Sequence, residues 1–198
     1  KKARCKKCDT RFQLSTVVPP ESRPSPVAKA DQREATDATA DDIPAEWNEG
    51  DVILDRYEVK GVLGEGGMGK VYDVWHREWN RRLAVKCPRP DYFKTERQKE
   101  NFTREAETWM DLGLHPHTVS CYYVRTLGGI PRVFAECIEG GDLKEWIESK
   151  KLYEGGQEEA LKRILDISIQ FAWGLGFAHE KGLIHQDVKP ANVMLTPE

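Results

Sequence analysis

The glycine-rich run Gly64-Glu65-Gly66-Gly67-Met68-Gly69-Lys70-Val71 is the part of this 198-residue chain best suited to handling phosphate. Without a Cβ, Gly64, Gly66, Gly67 and Gly69 let main-chain N–H groups approach phosphate oxygens closely. A dinucleotide-binding loop has a similar spacing, but it leaves a strand, opens a helix and is followed about 20 positions on by an acidic residue. Here Val71, Tyr72, Val74 and Trp75 follow, a β-branched and aromatic set that reads as a second strand. Strand, glycine turn, strand makes a hairpin lid. Lys86 then ends the apolar run Leu83-Ala84-Val85, where an unpaired ammonium is costly and needs partners. A lysine that merely stretches its amine to the strand end is the plain alternative. Glu105 and Glu107 follow on a helical stretch and point to different sides of it. The loop His185-Gln186-Asp187-Val188-Lys189-Pro190-Ala191-Asn192 gathers a carboxylate, an ammonium and an amide in a short space.

Taken in this order, G-x-G-x-x-G-x-V, the strand lysine, the helix glutamate and the His-Gln-Asp loop resemble the protein kinase family. The resemblance covers roughly Arg56 to Glu198. It implies an α+β, protein-kinase-like fold: a five-stranded antiparallel N-terminal lobe with one helix, then the start of a helical C-terminal lobe. It implies ATP and Mg2+ as cofactors and a protein substrate, with the γ-phosphate passing to a serine or threonine hydroxyl. Lys189-Pro190 looks like the serine/threonine branch. By the same resemblance Leu63, Gly64, Glu65, Gly66, Gly67, Met68, Gly69, Lys70 and Val71 cover the nucleotide. Val71 and Ala84 sandwich the adenine, although as core residues they would look the same. Lys86 meets the α- and β-phosphates and pairs with Glu105, in preference to Glu107. Glu136 and Ile138 flank Cys137 in the hinge. Asp187 is the catalytic base or the group that orients the hydroxyl, Lys189 neutralises the γ-phosphate, Asn192 binds the second Mg2+, and His185 is structural. The rival reading is a pseudokinase or nucleotide-binding scaffold. The presence of Lys86, Glu105, Asp187 and Asn192 weighs against it.

Two residues depart from the family pattern. Gln186 stands where the family usually has an arginine that pairs with an activation-loop phosphate. Ala135 holds the gatekeeper position before the hinge, and a methyl group there leaves room behind the adenine. The Asp-Phe-Gly magnesium segment is expected beyond Glu198, so the chain reads as a fragment that is inactive alone and bares apolar surface.

The elements that position these groups are legible from periodicity. Strands are expected over 57–63, from the glycine turn to about Glu78, and over 82–87, 119–124 and 132–137. A helix is expected over 95–112 with Phe102, Ala106 and Trp109 inward, and a short one after Asp142, its N-cap. A long helix over 158–180 should turn Leu161, Ile164, Leu165, Ser168, Phe171, Ala172, Leu175 and Ala178 to one face, with Gly182 as its cap. Upstream, a partial zinc-ribbon-like knuckle over 1–14 places Cys5 and Cys8 as half a Zn2+ site. A disordered acidic, proline-containing linker over 15–55 separates it from the N-terminal lobe (56–138) and from the hinge and first part of the C-terminal lobe (139–198). With 32% charged residues and a net charge of −3, the composition gives no general attraction to nucleic acid. No run of about eighteen apolar residues marks a membrane segment. Five scattered cysteines argue against a disulfide framework and for a cytoplasmic setting.

Overall fold

A computed structural model describes residues 43–197 and the backbone of 14–16. Cys5 and Cys8 lie outside the described residues. The described chain divides into two compact units, one containing 43–110 and 121–137, the other 111–120 and 138–197.

The first unit is built on one antiparallel sheet. Its strands are β2 (Val52–Ile53), β3 (Tyr57–Gly66), β4 (Gly69–His76), β5 (Arg81–Pro88), β6 (Cys121–Leu127) and β7 (Ile130–Glu136), in spatial order β2-β3-β4-β5-β7-β6. The five expected strands are present and β2 adds a sixth. Helix α1 (Glu96–Leu112) follows β5.

The ladder gives each face its character. Val71, Lys86 and Val133 form one cross-strand row, and Asp73, Ala84 and Ala135 form the next on the same face. The opposite face carries Tyr72, Val74, Leu83, Val85, Cys87 and Phe134, all buried. With Tyr57, Val59, Leu127, Trp47 and Ile53 they make the main core of this unit. Phe102 and Ala106 of α1 bury against Val133, with Trp109 packed beside them, as the helical spacing predicts.

The stretch 43–55 corrects the expected linker boundary. It is packed against the sheet: Trp47 is only 3% exposed and β2 pairs with the start of β3. The acidic composition is real, but Ile43, Trp47 and Ile53 are apolar anchors set within it, and an averaged composition hides single anchors. Leu14–Thr16, at the boundary between the expected knuckle and the expected linker, forms strand β1.

The second unit is helical. Asp142 caps α2 (Leu143–Glu148), its Oδ1 accepting from the Glu145 N–H at 2.8 Å. Helix α3 (Gly156–Glu180) ends at Gly182, whose φ of +77° and N–H bond to the His179 carbonyl at 2.9 Å fit the expected cap. Strand β8 (Val193–Leu195) pairs in parallel with β1. Trp146, Leu152, Ile167, Val193 and Leu195 are the core.

The inward face of α3 matches the expected one only in part: Ala178 is buried and Ile164 and Phe171 pack against the core. Ala160, Ile167, Gln170, Gly174 and Ala178 are buried, whereas Leu161 and Leu165 are 55% and 53% exposed. Helix α3 is apolar on more than one side, so the periodicity of its leucines does not say which side meets this core.

Candidate active site

The glycine run is not a loose loop. Strands β3 and β4 pair through it, with Gly64 opposite Val71, Glu65 opposite Lys70 and Gly66 opposite Gly69, so only Gly67 and Met68 form the turn. The glycines have different reasons to be there. Gly69 has a φ of +152°, and a Cβ on it would run into the Cys87 carbonyl. Its glycine is required by the packing of β4 on β5. Gly64, Gly66 and Gly67 have no left-handed φ, and a Cβ on any of them would meet nothing within 4 Å. Neither conformation nor packing asks for glycine at these three positions. Met68, at the turn, packs against the cluster of Phe102, Ala106 and Val133. The exposed pair Arg89–Glu65, at 2.8 Å, ties the hairpin to the chain after β5.

Leu63 is 48% exposed and Gly64, Glu65, Gly66 and Gly67 are exposed as well, while Met68, Gly69, Lys70 and Val71 are half-buried. Val71, Ala84 and Lys86 share one face of the sheet, and all three are half-buried. Ala135 is buried and stands between Ala84 and Cys121 in the ladder. Burial drives the Cys121 thiol far above its ordinary range and pushes the Cys87 thiol up to about 11, partly offset by Arg132 beside it. Neither thiol is a nucleophile at neutral pH.

The Lys86 ammonium lies 6.0 Å from the centre of the Phe102 ring of α1. Glu105 stands three residues beyond Phe102, on the same helix face, and is half-buried. Glu107 is exposed and lines a separate hollow of about 510 Å³ with Lys99, Thr103, Thr126 and Pro131. The two glutamates therefore serve different surfaces of α1, and Glu105 is the one that shares the Phe102 side.

In the helical unit the loop before β8 is closed by its own side chains. Lys189 Nζ pairs with Asp187 Oδ2 at 2.9 Å. Asn192 Nδ2 donates to the Asp187 main-chain carbonyl at 2.8 Å and to Oδ2 at 3.2 Å. The Asp187 N–H donates to the His185 carbonyl at 2.6 Å and to His185 Nδ1 at 3.3 Å. His185, expected to be structural, is buried. The bond from residue 187 back to residue 185 makes a tight turn centred on Gln186, whose φ is +55°. Sequence reading treated Gln186 only as a missing arginine. Its left-handed backbone lies immediately before Asp187, and no sequence signal other than the loop motif announces it.

The expected residues thus fall into two groups. Leu63 to Val71, Ala84, Lys86, Glu105 and Glu136 lie in the sheet unit, and Ile138, Asp187, Lys189 and Asn192 lie in the helical unit. Among the described residues, no group of three or more His, Cys, Asp or Glu side chains is disposed to hold a metal ion.

Residues 57–198 match the protein kinase domain family. The chain is 35% identical over 146 residues to a probable serine/threonine-protein kinase of Streptomyces coelicolor, covering 71% of this chain and 20% of that protein. It is 33% identical over 147 residues to the serine/threonine-protein kinase PknD of Chlamydia trachomatis, covering 72% of this chain and 16% of the relative. The chain thus spans about a fifth of the length of the curated relatives it matches. Among solved structures, a double mutant of the Mycobacterium tuberculosis PknI kinase domain superposes with a TM-score of 0.63 at 27% identity, over 77% of this chain and 60% of that one. The antiparallel sheet with its glycine hairpin, the helical unit with its Asp187 loop, and these matches agree, and the chain belongs to the protein kinase family.

Proposed function

We propose that this chain is part of an ATP-dependent serine/threonine protein kinase, and that Asp187, Lys189 and Asn192 carry its chemistry. The observation that carries the reading is the Asp187 carboxylate, held by Lys189 at 2.9 Å and by Asn192 at 3.2 Å. A carboxylate fixed in this way is suited to orient a hydroxyl and accept its proton. The Asn192 amide turns its N–H end to Asp187, which leaves Oδ1 as the end that accepts a cation. Lys189 supplies positive charge beside the carboxylate, where charge develops on a transferring phosphoryl group.

ATP with Mg2+ supplies the phosphoryl group and the counter-charge when bound. The sheet unit fits a polyphosphate at the hairpin. Gly64, Gly66 and Gly67 have open space where a side chain would stand and no other reason to be glycine. Lys86 lies on the same sheet face as Val71 and Ala84, so one surface offers two small apolar side chains and an ammonium. Glu105 is the partner we assign to Lys86, from its shared helix face with Phe102. Glu136 and Ile138 bracket the hinge, where main-chain groups meet the adenine edge. A cytoplasmic setting, in which Cys87, Cys121 and Cys137, none of them in a disulfide, stay thiols, belongs to the same reading. Among the described residues, no helix is long and apolar enough to cross a membrane.

The test is transfer of radiolabelled γ-phosphate from MgATP to a protein acceptor by the full-length protein. Phosphoserine or phosphothreonine should form, and Asp187→Asn should reduce the rate by about 10²–10⁴-fold. Nucleotide binding without any transfer would replace this reading with a binding scaffold.

A further inference from the structure

Arg132 is fully buried although it carries a guanidinium. A charge taken out of water needs acceptors close by. Arg132 finds its oxygen acceptors outside the sheet. Nη2 donates to the main-chain carbonyls of Pro44 at 2.8 Å and Ala45 at 3.1 Å. The guanidinium also stacks 4.2 Å from the centre of the Trp47 ring. Nη1 donates to Cys87 Sγ at 3.4 Å. From the other side, the Trp47 N–H donates to the Tyr72 hydroxyl at 3.1 Å, and the two rings lie 5.4 Å apart. Glu46 pairs with Lys70 at 2.6 Å. The main-chain carbonyl of Ile43 fills the space where a Cβ on Gly128 would stand. Residues 43–47 are therefore a strap laid across the back of the sheet and latched on Arg132.

Each grip falls beside a residue of the nucleotide face. Tyr72 follows Val71, Cys87 follows Lys86, and Arg132 precedes Val133, the ladder partner of Lys86. Side chains alternate along a strand, so the strap holds from behind the rows that carry Val71 and Lys86 in front. Lys70 lies on the returning arm of the glycine hairpin itself.

We propose that the strap 43–47 is a positioning element for the nucleotide. Latched on Arg132, it fixes the placement of Lys86, Val71 and the returning arm of the hairpin, and its release lowers affinity for MgATP. The segment that precedes the sheet thereby sets the strength of the site. This inference rests on the kinase reading above.

Gly128 and Gly129 provide a matched test. They form the two-residue turn between β6 and β7, with φ of +58° and +70°. A Cβ on Gly129 meets nothing within 4 Å, whereas one on Gly128 collides with Ile43. Gly129→Ala carries only the conformational penalty, and Gly128→Ala also displaces the strap. The readouts, in the full-length protein, are amide hydrogen exchange across 43–47 and the dissociation constant for MgATP. Relative to Gly129→Ala, Gly128→Ala should speed exchange at the Trp47 amide and weaken MgATP by about fivefold or more. Trp47→Leu keeps apolar bulk while removing the ring over Arg132, and it should shift both readouts the same way if Gly128→Ala does not fold. A strap that exchanges faster while MgATP affinity is unchanged overturns the proposal, as do two glycine variants that cannot be told apart. A wild-type protein that does not bind MgATP at all overturns the kinase reading itself, a result distinct from either.

Discussion

Asn192 holds Asp187 at two points, the main-chain carbonyl at 2.8 Å and the carboxylate at 3.2 Å, so one amide fixes both the path of the loop and the aim of its acid. Asn192→Ala removes both bonds and the amide oxygen proposed above as a cation ligand. We expect turnover to fall by about 10²-fold, because a small misplacement of a catalytic group has an effect of that order. Steady-state kinetics on the full-length protein, with a melting curve as control, checks this. Turnover within twofold of wild type, by about the scatter expected of a surface change, would show that Asn192 has no part in the reaction.

The glycines of the hairpin should separate fold from function. Gly69→Ala forces a side chain into the Cys87 carbonyl at an unfavourable φ and should destabilise the protein by about 2 kcal/mol or more. Gly66→Ala meets open space, so its stability should stay within about 0.5 kcal/mol of wild type. Its affinity for MgATP should nevertheless drop by about tenfold, since the added methyl stands where phosphate oxygens approach the main chain. Denaturant titration and nucleotide titration on the same two variants give the comparison.

Ala135 is buried between Ala84 and Cys121, and it puts only a methyl group at what the family resemblance marks as the gatekeeper position. ATP analogues with bulky adenine substituents should therefore support turnover. Ala135→Phe should weaken them by about tenfold or more while changing ATP by much less, because added volume in a packed site is costly. Equal effects on ATP and analogue, measured as kcat/KM, would count against a pocket there.

His76 is 1% exposed and stacks on Trp79 at 4.3 Å. Burial, with Arg56 and Arg81 nearby, lowers its pKa from 6.5 to about 4, and Glu78 opposes the shift. A depressed histidine pKa means that the unfolded chain binds the proton more readily than the folded one. The contribution to stability is complete above about pH 6.5 and is lost as pH falls to about 4, to a total of about 3 kcal/mol. Denaturation midpoints across that range should fall more steeply for wild type than for His76→Gln. Parallel curves would place the titration elsewhere.

Leu161, Leu165, Ile169 and Trp173 recur every fourth residue of α3, each half exposed or more. Leu165→Lys combined with Ile169→Glu should leave the stability of the 198-residue chain within about 1 kcal/mol while reducing its aggregation and its binding of hydrophobic dyes. Loss of cooperative unfolding in that variant would mean that the stripe is part of the folded core.

The motifs that handle charge were legible because their chemistry restricts residue type. A glycine such as Gly66 would allow phosphate to approach the main chain closely, and an ammonium such as Lys86 rarely ends an apolar strand without a partner. The strands around them were legible from alternation, and Asp142 from the short polar side chain that a helix start requires. What stayed hidden depended on partners far along the chain. Nothing near Trp47 announces that it will stack on Arg132, and nothing near Arg132 announces that its acceptors are carbonyls of the segment taken for linker. Leu161 and Leu165 misled for the opposite reason: periodicity finds an apolar stripe but cannot tell which stripe this core uses.

The bond between Arg132 and Pro44 joins residues 88 positions apart, so its consequences reach into how the chain is made. Contacts that distant form late, after local hairpins have closed, because the loop entropy must be overcome first. The core around Trp47 is complete only when β7 is present, because Phe134 and Arg132 of that strand are part of it. The same arithmetic runs backward on heating: the strap 43–47, latched on a residue 88 positions away, should be among the first segments to let go.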